Sequence, residues 1–297
     1  MTFATEVKNE IAKSGISSRC CAVSEIYGIL LVCTTFSHTY IKIATENKEI
    51  AKRIPVLFRK AFNLQVSPNK FGNKFVFELD NPYEISKIFL ELGYDHKYYI
   101  NFNLNRNNLE NECCENSFFK GLFLMTGTVA SPEKKCHLEI STTHKILSRE
   151  IMALMLDSYL APKESVRKSS NVIYFKDSTA VTDFLTKISA SNASMKIMDA
   201  KAQKEIINRV NRQVNCETAN LSKTIDTSIK QINLINSAVL KNSMEIFPEN
   251  LHITISLRSN NPELSLKELA EIHNPVLTKS ALNHRIRKIL QIAERTL

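Results

Sequence analysis

The sequence has no apolar run long enough to cross a membrane. A membrane-spanning helix takes about 18 or more consecutive apolar residues, and the 297-residue chain contains no such run. Its opening segment, Met1–Gly15, is charged and amphipathic and lacks the apolar centre of a secretory leader. These absences argue against a membrane-spanning or secreted protein, so the sequence predicts a cytoplasmic protein with no membrane partner.

Cysteines with metal-binding spacing are also missing. The seven cysteines contain no CxxC pair, a spacing that zinc ribbons and zinc fingers use, and the histidines have no ligand spacing either. An odd number of cysteines in a long chain disfavours a disulfide framework. We therefore predict no metal site and no cofactor.

Acidic residues are in the minority. The chain has 39 Lys and Arg against 30 Asp and Glu, which gives a formal net charge of +9. This charge is consistent with a nucleic-acid partner, although a basic surface without a specific partner has the same composition. The length suggests two or three domains, and a hydrophobic content of 43% is enough for ordinary globular cores.

What the sequence does contain is an internal repeat. CCAVSEIYGILLVCTTF (Cys20–Phe36) and CCENSFFKGLFLMTGTV (Cys113–Val129) both open with adjacent cysteines and continue as an apolar helix with a central glycine. The central glycines, Gly28 and Gly121, lie 93 positions apart, as do the first cysteines of the two segments. Two further blocks recur at almost the same offset, so we predict a duplication.

Each copy is predicted to have the order helix–strand–strand–helix–strand–strand–helix, with strands assigned from alternation and helices from 3.6-residue spacing. The two glycine helices would pack together at a pseudo-twofold axis, because glycine lets two helix backbones approach closely. Two unrelated small domains are the alternative. The predicted fold class is α/β (α+β), with copies at 1–108 and 109–200, a helical linker at 201–246 and an all-α domain at 247–297.

Both cysteine pairs precede these glycine helices. Pseudo-symmetry would bring the helix starts together, and helix N-termini lower the pKa of thiols, so a joint metal or redox site is the alternative to having no metal. Against that alternative, adjacent cysteines chelate one ion poorly, and cysteine is often simply buried.

Segments along the whole chain resemble one family. These are FATEVKNEIA (Phe3–Ala12), both cysteine pairs, the glycine helices, NCETANLSKT (Asn215–Thr224) and SLKELAEIHNPVLTKSALNHRIRKI (Ser265–Ile289). They look like the WhiA family of bacterial regulators, and Asn215–Thr224 is the most specific part of the resemblance. The resemblance implies a degenerate LAGLIDADG homing-endonuclease-like domain joined to a C-terminal helix-turn-helix. It also implies DNA binding, with roles in sporulation in some bacteria and in cell division and chromosome segregation in others.

The resemblance also indicates where an active nuclease would carry its acids. In the nuclease relatives each paired helix supplies one metal-binding carboxylate, and the corresponding residues here are Cys33 and Thr126. Metal-dependent cleavage of DNA uses acidic oxygen ligands, and neither residue has one. Glu25 lies two turns earlier on its helix and Glu139 lies on a strand, so neither is an obvious substitute. We predict that the chain is not an enzyme, and a metal-dependent endonuclease with atypical ligands is the alternative.

The clearest functional pattern is in Leu264–Leu297. Ser265 and Glu268 match a capping box at the start of a first helix, and Pro275 prevents that helix from continuing. Thr278 can cap a second helix. Apolar residues at helical spacing predict the buried face of this second helix: Leu282, Ile286, Ile289 and Ala293. The segment Pro248–Pro262 is predicted to supply the preceding helix, with Arg258 near the DNA backbone.

The opposite face of the second helix is polar and basic. From Val276 to Leu297 there are five Lys or Arg residues and one acid, as a recognition helix requires. Asn suits adenine and Arg suits guanine or phosphate, so we predict base contacts at Asn283 and Arg287. A charged, solvated helix is the alternative. The predicted DNA-binding set is Ser265, Lys267, Thr278, Lys279, Ser280, Asn283, His284, Arg285, Arg287 and Lys288.

The connecting segment Lys201–Ile235 is predicted to form two helices broken near Val214–Glu217. Its short amides and basic side chains suit contact with DNA phosphates or with another domain: Arg209, Arg212, Asn215, Asn220 and Lys223. An ordinary solvated linker is the alternative, and it is disfavoured because NCETAN has few helix-favouring surface residues.

Together these observations predict a non-catalytic DNA-binding protein, a transcriptional regulator whose partner is double-stranded DNA and which associates with the nucleoid. The strands of the duplicated domain would form a saddle. Lys42 and Glu139 occupy comparable positions on it, and their opposite charges weaken the case for a uniformly basic groove. An interaction scaffold that binds a transcription or division protein is therefore a further alternative.

Overall fold

The computed structural model describes residues 2–94 and 103–296. The chain divides into two compact units, Met1–Lys204 and Glu205–Leu297. Within the described residues, every helix is too short or too polar to cross a membrane. The finer four-part division drawn from the sequence stays a prediction.

The first unit begins with α1 (Phe3–Lys13) and then has one order of elements twice. The first copy consists of α2 (Arg19–Leu31), β1 (Thr35–Phe36), β2 (Ile41–Thr45), α3 (Lys48–Phe62), β3 (Asn69–Phe71), β4 (Lys74–Leu79) and α4 (Pro82–Glu91). The second consists of α5 (Glu112–Thr126), β5 (Gly127–Val129), β6 (Leu138–Thr142), α6 (Lys145–Asp157), β7 (Lys163–Arg167), β8 (Ser170–Phe175) and α7 (Ser178–Lys187). A 3₁₀ turn at Arg106–Leu109 precedes the second copy. The predicted order is confirmed in both copies.

Each copy forms a four-stranded antiparallel sheet with the same topology. The strand orders are β1-β2-β4-β3 and β5-β6-β8-β7. Side chains alternate between the two faces of a strand, so Ile41 and Ile43 on β2 are buried while Lys42 is partly exposed. On β6, Leu138 and Ile140 are buried in the same way. One face of each sheet therefore packs into the core, and the other face carries polar side chains.

The two copies meet where α2 packs against α5. A Cβ atom added to Gly28 would lie 2.4 Å from the carbonyl oxygen of Phe118, and one added to Gly121 would lie 2.1 Å from that of Glu25. Backbone atoms thus occupy the space that any larger residue would need. The predicted close approach of the two glycine helices is confirmed.

A buried ion pair lies beside these helices. Both Glu25 and Arg53 are almost fully buried, at 1% and 5% exposure. The Arg53 guanidinium donates to both carboxylate oxygens of Glu25, at 2.5 and 2.7 Å. It also donates to the carbonyl oxygens of Ala12 and Ser14. This guanidinium therefore joins α2 and α3 to the end of α1 and to the residue that follows it.

One long helix, α8 (Ser191–Asn242), replaces the two shorter helices predicted for the connecting segment. The predicted break near Val214–Glu217 is wrong. Asn, Cys and Thr have only modestly unfavourable helix propensities, whereas Gly and Pro interrupt helices more strongly, and the segment contains neither. Side chains also bond along the helix, since the Thr224 hydroxyl donates to the carbonyl oxygen of Asn220 at 2.9 Å.

The second unit packs the end of α8 against three further helices, α9 (Glu249–Asn260), α10 (Leu266–Glu271) and α11 (Lys279–Thr296). One apolar cluster joins α8, α9 and α11: Ile235, Ala238, Phe247, Leu251, Ile255, Ile289 and Ala293. A second cluster joins α10 and α11: Leu269, Ala270, Leu282 and Ile286. These clusters hold α11 from one side along most of its length.

Candidate nucleic-acid interface

Capping interactions set the start of α10. The Ser265 hydroxyl accepts a hydrogen bond from the Glu268 backbone N–H at 3.4 Å, and the Glu268 carboxylate accepts one from the Ser265 N–H at 2.8 Å. The hydrogen bonds from Ser265 hold the pKa of the Glu268 carboxyl below its usual value. The predicted capping box is therefore confirmed, and the Ser265 hydroxyl is engaged within it.

A second cap begins α11. The Thr278 hydroxyl accepts a hydrogen bond from the Ala281 N–H at 3.2 Å, which satisfies one of the free donors in the first helical turn. The predicted cap at Thr278 is confirmed. The turn before it is fixed by His273, which is 2% exposed and whose Nδ1 lies 3.0 Å from the carbonyl oxygen of Pro275.

The buried face of α11 is the one predicted from spacing. Leu282, Ile286, Ile289 and Ala293 are all buried. Because this face is packed against α9, α10 and the end of α8, the opposite face is turned away from the core. The exposed residues on that side are Lys279, Ser280, His284, Arg287 and Lys288. Asn283, predicted to contact a base, is half-buried at the edge of the same surface.

Arg285 has partners within the protein. Its NH1 group donates to the carbonyl oxygen of Asn250 at 3.1 Å and lies 3.4 Å from Nε2 of His273. The side chain is half-buried. In this structure Arg285 therefore joins α11 to α9 and to the turn after α10.

Arg258, predicted to lie near the DNA backbone, has its hydrogen-bond partners within the protein, and its contact with DNA stays a prediction. This residue is 3% exposed, and its guanidinium donates to Oε1 of Gln231 at 3.1 Å and to the carbonyl oxygen of Leu264 at 2.7 Å. Burial lowers its pKa. The side chain therefore joins α9 to α8 and to the residues before α10, and it also lines the cavity described next. Sequence periodicity could not show this because the partners are distant in the chain.

Three lysines from different helices lie around one open cavity. Lys223 of α8, Lys267 of α10 and Lys279 of α11 line a cavity of about 350 Å³. The hydroxyl residues Thr224 and Thr227 line it as well, and neither belongs to the set predicted from the sequence. For Thr227 the signal in the sequence is the four-residue spacing of Lys223, Thr227 and Gln231, which places these three residues on one helix face. Thr224 is adjacent to Lys223 and has no such spacing.

The other residues of α8 that were predicted to contact DNA or another domain lie on its exposed surface. Arg209, Arg212, Asn215 and Asn220 are all exposed. At 100° per residue, Arg209, Arg212 and Asn220 fall on one side of the helix together with Lys223, while Asn215 lies further round. The Arg212 Nε group donates to the carbonyl oxygen of Asn208 at 3.1 Å. The structure thus brings four of these five residues to one side of α8.

Cys33 and Thr126, which the family resemblance aligns with the acids of nuclease relatives, have side chains that bond to the backbone. The Cys33 thiol donates to the carbonyl oxygen of Thr35 at 3.1 Å, and burial raises its pKa to about 12. The Thr126 hydroxyl donates to the carbonyl oxygen of Leu122 at 3.2 Å. Neither offers an anionic oxygen ligand to a hard cation such as Mg²⁺.

The nearby acids are paired as well. Glu25 is held by Arg53, as described above. Glu139 lies 3.0 Å from Nε2 of His137 and 3.0 Å from NH1 of Arg167. Glu139 is therefore part of a neutralised cluster on the sheet surface.

The open face of the first sheet is also mixed in charge. Lys42 and Glu78 lie opposite each other on β2 and β4, and the Lys42 ammonium is 2.8 Å from the Glu78 carboxylate. The Tyr40 hydroxyl donates to the same carboxylate. Since the second sheet has the Glu139 cluster, neither sheet presents a uniformly basic surface.

Comparison with known proteins gives the same two-part organisation. The WhiA LAGLIDADG-like domain matches residues 115–207, and the WhiA C-terminal helix-turn-helix domain matches residues 210–293. The crystal structure of full-length DUF199/WhiA from Thermotoga maritima covers 100% of this chain and 99% of its own, with a TM-score of 0.61 and 22% identity. That structure shows the shared fold, and the predicted fold class is confirmed.

Sequence relatives extend over nearly the whole chain. The probable cell division protein WhiA of Ruminiclostridium cellulolyticum is 38% identical, and the alignment covers 99% of this chain and 98% of the relative. The protein of the same name from Bacillus velezensis is 33% identical, with coverage of 99% and 96%. With identity at this level over almost all of both chains, and both domains matched in order, the chain belongs to the WhiA family.

Proposed function

We propose that this chain is a DNA-binding regulator that reads duplex DNA with α11 and does not cut it. The observation that carries the proposal is the division of α11 into two faces. Leu282, Ile286 and Ile289 fix one face in the core, while Lys279, Arg287 and Lys288 remain exposed on the other. A helix held rigidly from behind, with donors on its free face, fits the major groove.

Phosphate contacts complete the proposed surface. The cavity lined by Lys223, Lys267 and Lys279 concentrates positive charge next to the start of α11. Lysines that contact phosphates position a protein on the duplex without reading sequence. The basic side of α8 that carries Arg209 and Arg212 extends the same kind of contact. This assignment predicts a strong salt dependence, because each neutralised phosphate releases counterions.

Membership of the family supports a regulatory role. Relatives are named probable cell division protein, and a helix-turn-helix domain in such a protein supports control of genes for division, chromosome segregation or sporulation. Binding of this kind would place the protein on the nucleoid. Crosslinking of the protein to DNA across the genome, followed by sequencing, distinguishes binding at discrete regulatory sites from non-specific binding along the chromosome.

Substitutions on α11 are expected to distinguish residues that recognise the base sequence from residues that contact phosphates. Arg287→Ala should weaken binding to the preferred sequence by about 1–3 kcal/mol and relax preference at one position. Lys288→Ala should weaken binding to all sequences alike and reduce the salt slope by about 1. Fluorescence anisotropy with specific and scrambled duplexes over a range of salt concentrations measures both effects.

The matched control for these variants is Lys60→Ala, which removes one exposed positive charge from α3 in the other unit. It should leave affinity, sequence preference and the salt slope at their wild-type values. If Arg287→Ala and Lys288→Ala also bind DNA like the wild type, α11 is not the reading helix.

Absence of cleavage is expected for the same protein. Incubation of supercoiled plasmid with the full chain and Mg²⁺ or Mn²⁺ should produce no nicked or linear DNA, because Cys33 and Thr126 replace the acidic ligands. Gel electrophoresis measures the conversion. If nicking occurs and is lost in Glu139→Gln, the chain is a nuclease with an atypical ligand and the non-catalytic assignment fails.

A further inference from the structure

The four paired cysteines meet at one end of the axial helices. Cys20 and Cys21 are the second and third residues of α2, and Cys113 and Cys114 have the same positions in α5. Because the two helices pack together through their glycines, their first turns come close as well. The Sγ atoms of Cys20, Cys21 and Cys113 all lie within 4.8 Å of one another.

The fourth thiol and a hydroxyl border this group. The Cys114 Sγ atom lies 3.9 Å from that of Cys113. The Ser18 hydroxyl lies 2.9 Å from the Cys20 Sγ atom and donates to that of Cys21 at 3.1 Å. A hydroxyl that bonds to the thiols can orient them, as groups around metal ligands commonly do. The cluster is therefore a thiol site with a supporting donor.

The spacing of the sulfur atoms is close to what a single ion requires. A Zn–S bond is about 2.3 Å long, so two sulfur ligands in a tetrahedral zinc site lie about 3.8 Å apart. The sulfur atoms, within 4.8 Å of one another, are therefore about 1 Å further apart than in such a site. Cysteine side chains have several staggered positions for such an adjustment.

The cluster lies at two helix starts and is open to solvent on one side. Both cysteine pairs lie in the first turn of a helix. A cavity of about 240 Å³ opens beside the cluster and is lined by Cys20, Cys114 and Glu110 among others. Cys20 and Cys113 are exposed, while Cys21 and Cys114 are buried. An ion could therefore enter from one side and be held by buried ligands on the other.

We propose that Cys20, Cys21 and Cys113 bind one thiophilic d¹⁰ cation, Zn²⁺ or Cu⁺, with Cys114 or a water molecule as the remaining ligand. Thiolates select such ions over Mg²⁺ and Ca²⁺. Two ligands come from the first copy of the repeat and at least one from the second. The bound ion would cross-link the starts of α2 and α5 and stabilise the first unit independently of DNA binding.

The structure supplies a ligand that adjacent cysteines alone lack. Adjacent cysteines alone chelate one ion poorly, but here the third thiol comes from another helix 92 positions away from Cys21. The Cys113 thiol lies near Cys20 and Cys21 because α2 and α5 pack closely at Gly28 and Gly121. The site therefore exists only in the folded first unit.

Metal titration of the full chain tests this site. The protein is purified anaerobically with reduced thiols, stripped with a chelator, and titrated with Zn²⁺ alone or Cu⁺ alone in separate arms. Native mass spectrometry should show one ion per chain in at least one arm, and the arm that binds more tightly identifies the cation. Co²⁺ in place of Zn²⁺ should give thiolate-to-cobalt charge-transfer absorption. Loading with the ion should also raise the thermal midpoint.

Single substitutions connect the signal to the cluster. Cys20→Ser and Cys113→Ser change exposed residues, so the fold should survive, as circular dichroism will show. Each should lower the affinity at least about 100-fold, since even loss of a group around the ligands costs about 10–100-fold. Cys216→Ser, an exposed cysteine on α8, is the matched control and should bind like the wild type.

Three results would overturn the proposal. The first is a chain with reduced thiols that takes up neither Zn²⁺ nor Cu⁺. The second is equal affinity in the wild type, Cys20→Ser and Cys113→Ser. The third is a disulfide between these cysteines in the purified chain, if its reduction to free thiols does not increase metal uptake.

Discussion

Replacement of Gly121 by valine is expected to unfold the first unit of the chain. Even a single Cβ atom at this position would lie 2.1 Å from the Glu25 carbonyl oxygen and 3.0 Å from the Ile29 backbone nitrogen. These are backbone atoms of a buried helix, so they cannot move aside as a flexible side chain would. Overpacking usually costs about 1–3 kcal/mol, and displacement of a whole helix should bring the cost above about 4 kcal/mol.

The effect should be visible in two measurements. Thermal unfolding followed by far-ultraviolet circular dichroism should show a lost or strongly lowered first transition. Hydrogen exchange with mass spectrometry should show the loss of protection in peptides from α2 and α5. The smaller change Gly121→Ala should fall between the wild type and Gly121→Val.

Gly15 provides the matched control. A Cβ atom added there meets nothing within 4 Å, and glycine-to-alanine changes at compatible positions alter stability by only about 0.4–1 kcal/mol, in the stabilising direction. Gly15→Ala should therefore keep or slightly raise the midpoint. A Gly121→Val protein with wild-type protection in α2 and α5 would show that the two helices are not packed as described.

Loss of the Arg53 guanidinium is expected to have a similarly large effect. Arg53→Met leaves the Glu25 carboxylate buried without its partner, and breaking a buried ion pair in this way costs about 3–5 kcal/mol. The change also leaves the carbonyl oxygens of Ala12 and Ser14 without their donor. Urea unfolding, monitored by hydrogen exchange of the amides in the first unit, measures the decrease in the free energy of unfolding.

Two comparisons give this prediction a control. Lys42→Met breaks the pair with Glu78, whose side chains are 36% and 31% exposed, and such surface pairs contribute about 0–1 kcal/mol. The double variant Glu25→Leu/Arg53→Met removes both charges and should recover part of the loss, since residues in contact are not additive. If Arg53→Met is no more destabilising than Lys42→Met, the pair is solvated in solution.

Local patterns along the chain predicted much of the fold. The order of elements in both copies, the capping box at Ser265, the cap at Thr278 and the buried face of α11 were all derived from neighbouring residues. Each of these features depends on hydrogen bonds or side-chain contacts within about one or two helical turns, so the signal is contained in short segments. The duplication was visible for a different reason, because the repeat compares the sequence with itself.

Two features of the structure were not predicted from local patterns: the partners of Arg258 and the continuity of α8. Arg258 is basic and belongs to a helix next to the reading unit, but its fate depends on Gln231 and Leu264. The predicted break in α8 is absent, and the segment contains neither Gly nor Pro, the residues that interrupt helices most strongly. The composition around Arg258 does not show its distant hydrogen-bond partners. The composition of α8 is compatible with one continuous helix.

The sequence by itself determined the repeat, the absence of a carboxylate at Cys33 and Thr126, and the buried face of α11, because these depend on residue identity and short-range periodicity. Only the tertiary structure decided which polar groups are available. It buried Arg258, engaged Arg285, gathered Lys223, Lys267 and Lys279 around one cavity, and brought thiols from two copies together. The physical reason is that hydrogen bonds and burial are shared between segments far apart in the chain, and no single segment carries that information.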